Sequence, residues 1–318
     1  MRNVIDFYVS NNSTVNISCI DVSKAFDKMS HSCLFFKLLE KSVPTCLIFL
    51  LRNWYSKLSS IVCHENVFSS EFKNKCGVRQ EGLFSPILFS VYVDNVLKSL
   101  SNLGCTMNGI SYGSIMYADD LLLAAPSIRE LRQMITICCN ELDAINLTIN
   151  TKKSCWLRIG PRFSLECESI SCKYGTIPQV TETRYLGIYL IAGKVFKVSF
   201  VHAKCNFYSS FNALYSKMGN VLNINVIVHL LTTISLPMLT YGIESLTLNK
   251  STLNNLENTF NRALYKIFKV SDAGSMHVCK EMFGIRSITE LYYAKLNNFK
   301  EKLNSSNNNI LKNLLASS

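Results

Sequence analysis

The tetrapeptide Tyr117-Ala118-Asp119-Asp120 places two adjacent carboxylates between two short apolar runs of strand length. Neighbouring side chains of a regular strand point to opposite faces, so the two carboxylates would diverge there. At the tip of a β-hairpin they can turn toward one region of space. Two such charges about 4 Å apart repel by roughly 4 kcal/mol at an effective dielectric of about 20, so keeping both ionised requires a cation. A solvated turn is the alternative interpretation, because Asp is common in turns.

A third carboxylate, Asp21, follows a run that is typical of a strand. Residues 14–20 alternate in polarity and contain several β-branched side chains, which predicts a strand that ends at Asp21. Open α/β sheets place their chemistry just past the ends of buried strands. Asp21, Asp119 and Asp120 are therefore candidates for one cation-dependent catalytic site.

Three local signals predict the elements around these carboxylates. The Ser-Pro pair at 85–86 predicts a helix with Ser as N-cap and Pro as its first residue. The Asn-Gly pair at 108–109 predicts a hairpin, and the SIRE sequence at 127–130 predicts a capping box that opens a further helix. The order over 14–158 is strand, helices, helix, β-hairpin, helix, strand. This order predicts an α+β fold, a sheet layered with helices.

The chain from about residue 195 onward has helical periodicity and most of the net positive charge. Residues 195–318 carry 13 Lys/Arg against 6 Asp/Glu, within a net charge of +11 for the whole chain. Such a surplus favours a polyanionic partner. On the helix opened by Ser251, the basic residues Arg262, Lys266 and Lys269 are spaced i, i+4, i+7. They form a candidate nucleic-acid contact, with a solvated helix face as the alternative.

The sequence predicts no membrane segment and an intracellular location, in the nucleus, the cytoplasm or both. The longest uncharged stretch, 221–243, contains Asn, His, Thr and Ser, so we expect a buried helix that breaks at Pro237. No apolar run precedes Asp6, which is why no signal peptide is expected. The 13 Cys form no CxxC pair, and we expect buried, reduced thiols.

Several ordered motifs resemble those of reverse transcriptases, and most closely the polymerase domain of non-LTR (LINE-type) retrotransposons. The first three are DVSKAFD at 21–27, GVRQEGLFSP at 77–86 and YADD at 117–120. NLTINTKKS at 146–154 resembles the next motif, with Asn146 where the family usually has Gly, and YLG at 185–187 resembles its primer grip. PMLTYGIE at 237–244, with the helix that carries Arg262, resembles the region after that domain.

This resemblance implies a right-hand polymerase fold. Residues 1–183 would form the palm with residual fingers elements, 184–194 the primer-grip segment and 195–303 a helical thumb-like region. Residues 304–318 are Asn- and Ser-rich at first, and we expect a disordered tail there. Only 20 residues precede Asp21, so we expect the fingers strands to be mostly missing.

The resemblance also implies two-metal nucleotidyl transfer from a dNTP to a primer 3′-OH, templated by RNA. Asp21 and Asp119 would be the main ligands of two Mg²⁺ ions, with Mn²⁺ as an alternative ion. Asp120 would support them, and the Val22 carbonyl would add an oxygen. These hard oxygen donors suit Mg²⁺, and two such ions can hold the attacking and leaving oxygens of an in-line displacement.

Further residues acquire candidate roles by the same resemblance. Phe26 corresponds to the steric gate that rejects a 2′-hydroxyl, with a plain core aromatic as the alternative. Gln80 and Gly82 would line the nucleotide pocket, and Lys153 would approach the triphosphate unless it is an ordinary surface lysine. Tyr185, Leu186 and Gly187 would contact the primer. Partners would be an RNA template, a DNA primer and dNTPs, and the oligomeric state is left open.

One residue departs from the family pattern at the nucleotide pocket. The family has Gly directly after the Gln of its second motif, and Glu81 stands there in this chain. A side chain and a negative charge would then meet nucleotide or nucleic acid. A catalytically decayed, nucleic-acid-binding remnant is therefore the alternative to an active polymerase. A maturase-like splicing cofactor is a weaker third hypothesis.

Overall fold

A computed structural model describes residues 1–79, 82–218, 223–308 and 311 of the 318-residue chain. The chain divides into two units. The first consists of Met1, residues 3–186 and residues 191–197, and the second of Arg2, residues 187–190 and residues 198–318. Gln80 and Glu81 lie outside the described residues, as does most of the tail for which we predicted disorder.

The first unit contains six helices within the described residues. They are α1 (Arg2–Ser10), α2 (Ala25–Lys28), α3 (His31–Glu40), α4 (Thr45–Ser56), α5 (Ser85–Ser99) and α6 (Ile128–Ala144). Its early strands are β1 (Val15–Asp21), β2 (Ser59–Ser60), β3 (Cys63–His64), β4 (Val67–Phe68), β5 (Phe72–Lys73), β6 (Thr106–Met107) and β7 (Ile110–Ser111). The later ones are β8 (Ser114–Tyr117), β9 (Asp120–Ala125), β10 (Cys155–Ile159), β11 (Ile170–Cys172), β12 (Gly175–Ile177) and β13 (Glu182–Tyr185).

A four-stranded antiparallel sheet carries the carboxylates, in the order β10-β1-β9-β8. β1 lies inside this sheet, and most of its residues are buried. Its β-branched and apolar side chains suit such a position, because a strand that is covered on both faces needs little polar alternation. The strand predicted over 14–20 is therefore confirmed, and its last residue is Asp21.

The long helix α6 covers the sheet with one apolar face. The α6 residues Leu131, Met134, Ile135, Cys138 and Leu142 are all buried in the core of this unit. Such spacing brings one helical face onto the sheet, and each large apolar side chain removed from water contributes about 1.5–3 kcal/mol. The expected mixture of helix and sheet is thus confirmed.

The two predicted helix starts differ from the structure in detail. α5 begins one residue earlier than expected, with Phe84 as N-cap, and the Ser85 hydroxyl donates to the Arg79 carbonyl at 2.5 Å. At α6, the Ser127 hydroxyl accepts from the Glu130 N–H as expected. The Glu130 carboxylate instead accepts from the Gly104 N–H at 2.8 Å, so the predicted reciprocal capping box is wrong. The Gly104 N–H, which is distant in the sequence, has replaced the Ser127 N–H as the donor to this carboxylate.

The second unit is mainly helical. Its helices are α7 (Val201–Met218), α8 (Ile224–Leu230), α9 (Leu236–Leu239), α10 (Lys250–Phe268), α11 (Ala273–Met282) and α12 (Ile288–Asn304), with a π-helical turn at Leu231–Ser235 and a 3₁₀ turn at Ile243–Ser245. The strands β14 (Ile188–Ile191) and β15 (Lys197–Ser199) precede them. Apolar residues of α7 to α12 form its core.

The apolar stretch Ile224–Ser245 is the one candidate membrane span within the described residues, by length and composition. Its residues Ile227, Val228, Leu231 and Leu239 belong to the core of the second unit. The predicted break at Pro237 is wrong. The π-helical turn before Pro237 re-spaces the backbone, and the helix continues to Leu239.

The expectation of buried thiols is correct only in part. All 13 Cys are free. Cys105, Cys138 and Cys139 are buried, whereas Cys46, Cys63, Cys76 and Cys205 are exposed. Short apolar runs in the sequence did not distinguish core from surface, because α4 and the strands β2 to β5 expose many apolar side chains.

A close backbone crossing supports the β8–β9 hairpin. The Gly113 carbonyl accepts from the Ala124 N–H at 2.7 Å. A Cβ on Gly113 would lie 2.1 Å from the Leu103 carbonyl oxygen and 2.7 Å from the Gly104 Cα. Gly109 provides a contrast, since it has φ +76° but open space around a Cβ.

We predict that Gly113→Ala destabilises the first unit by about 3 kcal/mol, because backbone atoms must move apart. Gly109→Ala should cost only about 1 kcal/mol, the penalty of a side chain in the left-handed region. Urea unfolding followed by tryptophan fluorescence measures both, because Trp54 and Trp156 both lie in this unit. Equal destabilisation of the two variants would contradict the steric explanation.

Candidate active site

Backbone pairing brings the three candidate carboxylates to one end of the sheet. In the β1–β9 ladder, Asp21 is the direct partner of Asp120. On the other side of β9, Asp120 pairs with Tyr117, and Asp119 lies in the intervening turn. All three aspartates are partly exposed at this edge. Directly opposed residues of an antiparallel pair have Cβ atoms only about 4.5–5.5 Å apart, so Asp21 and Asp120 face each other closely.

The turn between β8 and β9 has an unusual backbone. Ala118 has φ +52°, in the left-handed region, and the turn contains just Ala118 and Asp119. A positive φ at the first central residue is typical of a tight hairpin turn, where Gly is the usual residue. An alanine there costs on the order of 1–2 kcal/mol. Non-glycine strain of this kind clusters at functional sites. In a continuous strand, Asp119 and Asp120 would point to opposite faces of the sheet. Because Asp119 lies in the turn, it is free of that alternation.

The electrostatics of the site show crowded negative charge. Burial raises the pKa of Asp120, and the charges of Asp119 and Asp21 raise it further. Arg184 acts in the opposite direction and lowers it. No sequence motif points to a role for Arg184, which lies 64 residues from Asp120 in the chain. Only the path of β13 past this edge brings it near.

A segment after α6 holds the end of β1 in place. The Asp21 N–H donates to the Ser154 hydroxyl at 3.0 Å, and the Asp21 carbonyl accepts from the Asn150 N–H at 2.9 Å. The Ser154 hydroxyl in turn donates to the Asn150 carbonyl at 2.8 Å. Val22 is bridged to Ile149 in the same region. Ser154 and Asn150 thus fix the backbone on either side of the Asp21 side chain, a role that the sequence motif did not reveal.

Lys153 belongs to this bracing segment. Its N–H donates to the Asn150 carbonyl at 3.2 Å, and its side chain is exposed. Lys153 therefore directly precedes Ser154 and follows Asn150 by three residues, and both of these residues bond the Asp21 backbone.

The candidate gate residue Phe26 lies shortly after Asp21, on α2. Its ring is partly exposed and stacks on Phe89 of α5, with ring centroids 4.6 Å apart and an interplanar angle of 26°. Gly82 is partly buried, and it bonds to the Arg79 carbonyl and the Ser85 N–H at 3.1 Å each. Gln80, the other residue assigned to the nucleotide pocket, is outside the described residues.

The YLG sequence forms the turn between β13 and β14. Leu186 and Gly187 both have positive φ, 46° and 82°, which is typical of a tight hairpin with Tyr185 as its last strand residue. Burial raises the pKa of Tyr185, and Cys19 and Asp120 add to this shift. The Tyr185 hydroxyl is buried and has no hydrogen-bond partner among the described residues. The structure thus brings Tyr185 to the carboxylate edge.

In the second unit, the predicted basic stripe separates into different environments. Lys266 places its ammonium 4.6 Å from the centre of the Tyr215 ring, a cation–π contact. Lys269 ends α10 in a left-handed conformation, with φ 55°. Arg262 lies one turn earlier on the helix than Lys266 and lines a groove of about 690 Å³ with Lys204 and Lys250.

This groove has a polar lining drawn from α7 and α10. Besides its three cations it contains Asn254, Asn255 and Asn258. None of the described residues that line it carries a carboxylate. Amide and cationic donors without competing acids suit a phosphate-rich ligand. Lys204 and Lys250 lie outside the i, i+4, i+7 pattern, so helical spacing alone does not identify them.

The donor set at the carboxylate edge fits a hard divalent cation. No three His, Cys, Asp or Glu side chains within the described part of the chain are close enough together to hold a metal ion. The available donors are nevertheless carboxylate oxygens, which Mg²⁺ prefers. The pKa of Asp120 is raised first by burial and then by the charges of Asp119 and Asp21, and a cation would offset both effects. The chemistry of the donors, rather than a closed cluster, supports the metal.

Comparison with known proteins agrees with this geometry. A family model described as "Reverse transcriptase (RNA-dependent DNA polymerase)" matches residues 2–190, more than half of the chain. The Pol polyprotein of the type-2 retrotransposable element R2DM of Drosophila melanogaster is 27% identical over 181 residues, 54% of this chain and 17% of that protein. An R2 element Pol polyprotein of Popillia japonica is 22% identical over 276 residues, 81% of this chain and 43% of that protein.

The chain spans less than half the length of either polyprotein. Among solved structures, apo telomerase from Candida tropicalis aligns with 99% of this chain and 55% of that one, at 11% identity and a TM-score of 0.47. The match over residues 2–190 includes all three carboxylates and the residues that brace them. The chain belongs to the reverse transcriptase family and contains a reverse transcriptase domain of the non-LTR retrotransposon type.

Proposed function

We propose that the chain catalyses RNA-templated DNA synthesis by transferring a nucleotide from a dNTP to a primer 3′-OH. The observation that carries this proposal is the pairing of Asp21 with Asp120 across β1 and β9, with Asp119 in the adjoining turn. The sheet imposes this concentration of negative charge, since its backbone ladder sets the register. Repulsive charge that is built into a rigid element is a feature of sites whose ligand is a cation.

In this proposal, Asp21 and Asp119 hold two Mg²⁺ ions, and Mn²⁺ could replace them. Asp120 supports their charge, and the Val22 carbonyl supplies a further oxygen. When bound, such ions stabilise the charge that develops on the phosphate oxygens during in-line displacement. The protein would contribute by concentrating the carboxylates at one edge of the sheet and by holding the Asp21 backbone against residues 148–154.

The residues near α2 and α5 would select the nucleotide. Phe26 would act as the gate that excludes a 2′-hydroxyl, and its stacking on Phe89 supports a fixed ring position. Gln80 and Gly82 would line the nucleotide pocket. Lys153 would approach the triphosphate from the bracing segment, where its exposed side chain can reach a ligand. Rejecting a hydroxyl by bulk requires a ring that does not yield.

The nucleic acid would contact both units. Residues 1–183 would form the palm with residual fingers elements, and 195–303 would form a thumb-like region. Tyr185, Leu186 and Gly187 would contact the primer strand. Arg262 would bind phosphates in the groove that it lines with Lys204 and Lys250, whereas Lys266 and Lys269 would contribute from its flank.

A second candidate function is nucleic-acid binding without catalysis. Glu81 favours it, because this acidic side chain stands where the family has Gly in the nucleotide-pocket motif. Like charges in a partly dry cleft would oppose the triphosphate. Both candidates predict binding to a primer–template, and only the first predicts extension, so the following variant distinguishes them.

We predict that Asp119→Asn lowers primer extension with Mg²⁺ at least about a hundredfold, equivalent to about 2.7 kcal/mol of transition-state stabilisation. Primer–template affinity should stay within a few fold, because the aspartate would act on the metal and not on the duplex. Asp143→Asn is the matched control, since it removes a carboxylate that pairs with Lys173 on the surface of α6. Extension on poly(rA)/oligo(dT) and a binding titration measure both quantities.

If wild type and both variants bind the primer–template equally and none extends it, the second candidate is correct. If Asp119→Asn extends as well as wild type, the carboxylate site is misassigned.

We predict that neutralising Lys204, Lys250 and Arg262 together flattens the dependence of log affinity on log salt by about 0.7–0.9 for each phosphate that is no longer neutralised. Each of the three residues should account for one phosphate, because all of them line one groove. The comparison variant is Lys266→Gln with Lys269→Gln. A salt plot flattened only by that double change would move the phosphate-binding surface to the end of α10, and two unchanged plots would exclude both surfaces.

A further inference from the structure

A short backbone segment after β5 is bonded directly to the residues around Phe26. We define the strap as residues 76–78. The Val78 N–H donates to the Phe26 carbonyl at 2.9 Å, and the Gly77 N–H donates to the Met29 carbonyl at 2.8 Å. Cys76 and Ser30 form an antiparallel bridge. The strap therefore fixes the backbone of α2 and of the residues that follow it.

The strap approaches this backbone so closely that it needs glycine at its centre. Gly77 has φ +86°, and a Cβ there would lie 2.8 Å from the Asp27 carbonyl oxygen. The same Cβ would lie 3.1 Å from the Phe26 carbonyl oxygen. These neighbours are backbone atoms that cannot rotate away. Small movements of the strap are thus transmitted to Phe26, because no side chain separates the two backbones.

His31 holds the strap from its other side. Its Nε2 lies 2.7 Å from the Gly77 carbonyl oxygen. Since a carbonyl only accepts, the hydrogen of the imidazole is on Nε2. The ring meets Tyr55 edge-on, with centroids 4.7 Å apart, and Tyr55 is buried. His31 is therefore seated against a rigid neighbour while it donates to the strap.

Phe26 has a second, independent support. Its ring stacks on Phe89, which is only 1% exposed. Phe89 restrains the plane of the ring, and the strap restrains the backbone from which the ring projects. Removing either support leaves the other in place. We therefore expect the Phe26 ring to shift and still remain next to Phe89.

We infer that His31 is a positioning residue for Phe26 and thereby sets the discrimination between dNTP and rNTP. This inference rests on the proposed function, in which Phe26 is the gate. Without the imidazole, the Gly77 carbonyl loses its hydrogen bond from His31, and the strap can shift away from α2. A site displaced by about 1 Å tolerates a substituent that a fixed site excludes. His31 itself does not contact the nucleotide in this account.

The test compares His31→Leu with His31→Gln, because the amide nitrogen of Gln can replace the Nε2 donor and Leu cannot. The readout is the ratio of dNTP to rNTP incorporation efficiency, which does not depend on the fraction of active protein. We expect His31→Leu to lower this ratio at least fivefold and His31→Gln to keep it within twofold of wild type. Phe26→Val should lower it further, and His31→Leu should add nothing in that background.

The inference would be overturned if His31→Leu left the ratio of dNTP to rNTP incorporation unchanged. It would also be overturned if His31→Leu lowered this ratio in the Phe26→Val variant as much as it does in wild type. Amide hydrogen exchange supplies a readout without catalysis. We expect faster exchange at Gly77 and Val78 in His31→Leu and unchanged exchange in β1 and α6. Unchanged exchange at the strap overturns the inference whatever the activity. If wild type is inactive but exchange at the strap rises in His31→Leu as expected, the proposed function and the gate role of Phe26 are overturned. The contact by which His31 holds the strap is supported in that case.

Discussion

The repulsion among three carboxylates at one end of a sheet is the interaction on which the site depends. Asp21 and Asp120 are opposed because the ladder between β1 and β9 sets their register, and Asp119 adjoins them through the hairpin turn. Burial raises the pKa of Asp120, and the charges of Asp119 and Asp21 raise it further. Many backbone hydrogen bonds and a buried core hold the strands together, so the sheet can tolerate a local repulsion of a few kcal/mol. In the proposed function, a bound cation would offset that repulsion.

The supports of the site are mostly backbone contacts rather than side-chain pairs. Residues 148–154 hold the end of β1, the Gly104–Gly113 crossing supports the β8–β9 hairpin, and the strap holds α2. Backbone contacts of this kind leave little freedom for adjustment, because interiors are packed as densely as organic crystals. Rigid elements suit a reaction in which the protein mainly positions groups and compensates charge.

The sequence predicted those features that arise from local pattern. Alternation and β-branching identified β1 and its terminal Asp21, and the Ser at position 127 identified the start of α6. The hairpin that carries Asp119 and Asp120 also follows from short-range signals. The order of the motifs then indicated the family, which the match over residues 2–190 confirms.

Features that depend on distant contacts could not be predicted in this way. Ser154, Arg184 and His31 act on residues far from them in the chain, and nothing in their local sequence identifies a partner. The Glu130 carboxylate accepts from the Gly104 N–H rather than from the expected N–H of its own helix N-cap, because the tertiary fold brings Gly104 within reach. Pro237 lies in a helix because the preceding π-helical turn re-spaces the backbone, an adjustment without a sequence signature.

The most direct test of the carboxylate site is a crystal structure of the chain with Mn²⁺, a primer–template and a non-hydrolysable dNTP. The anomalous scattering of Mn²⁺ marks its position independently of the protein atoms. The account predicts anomalous peaks within coordination distance of Asp21 and Asp119, with no peak there in Asp119→Asn. Peaks elsewhere, or an empty carboxylate edge at saturating Mn²⁺, would contradict it.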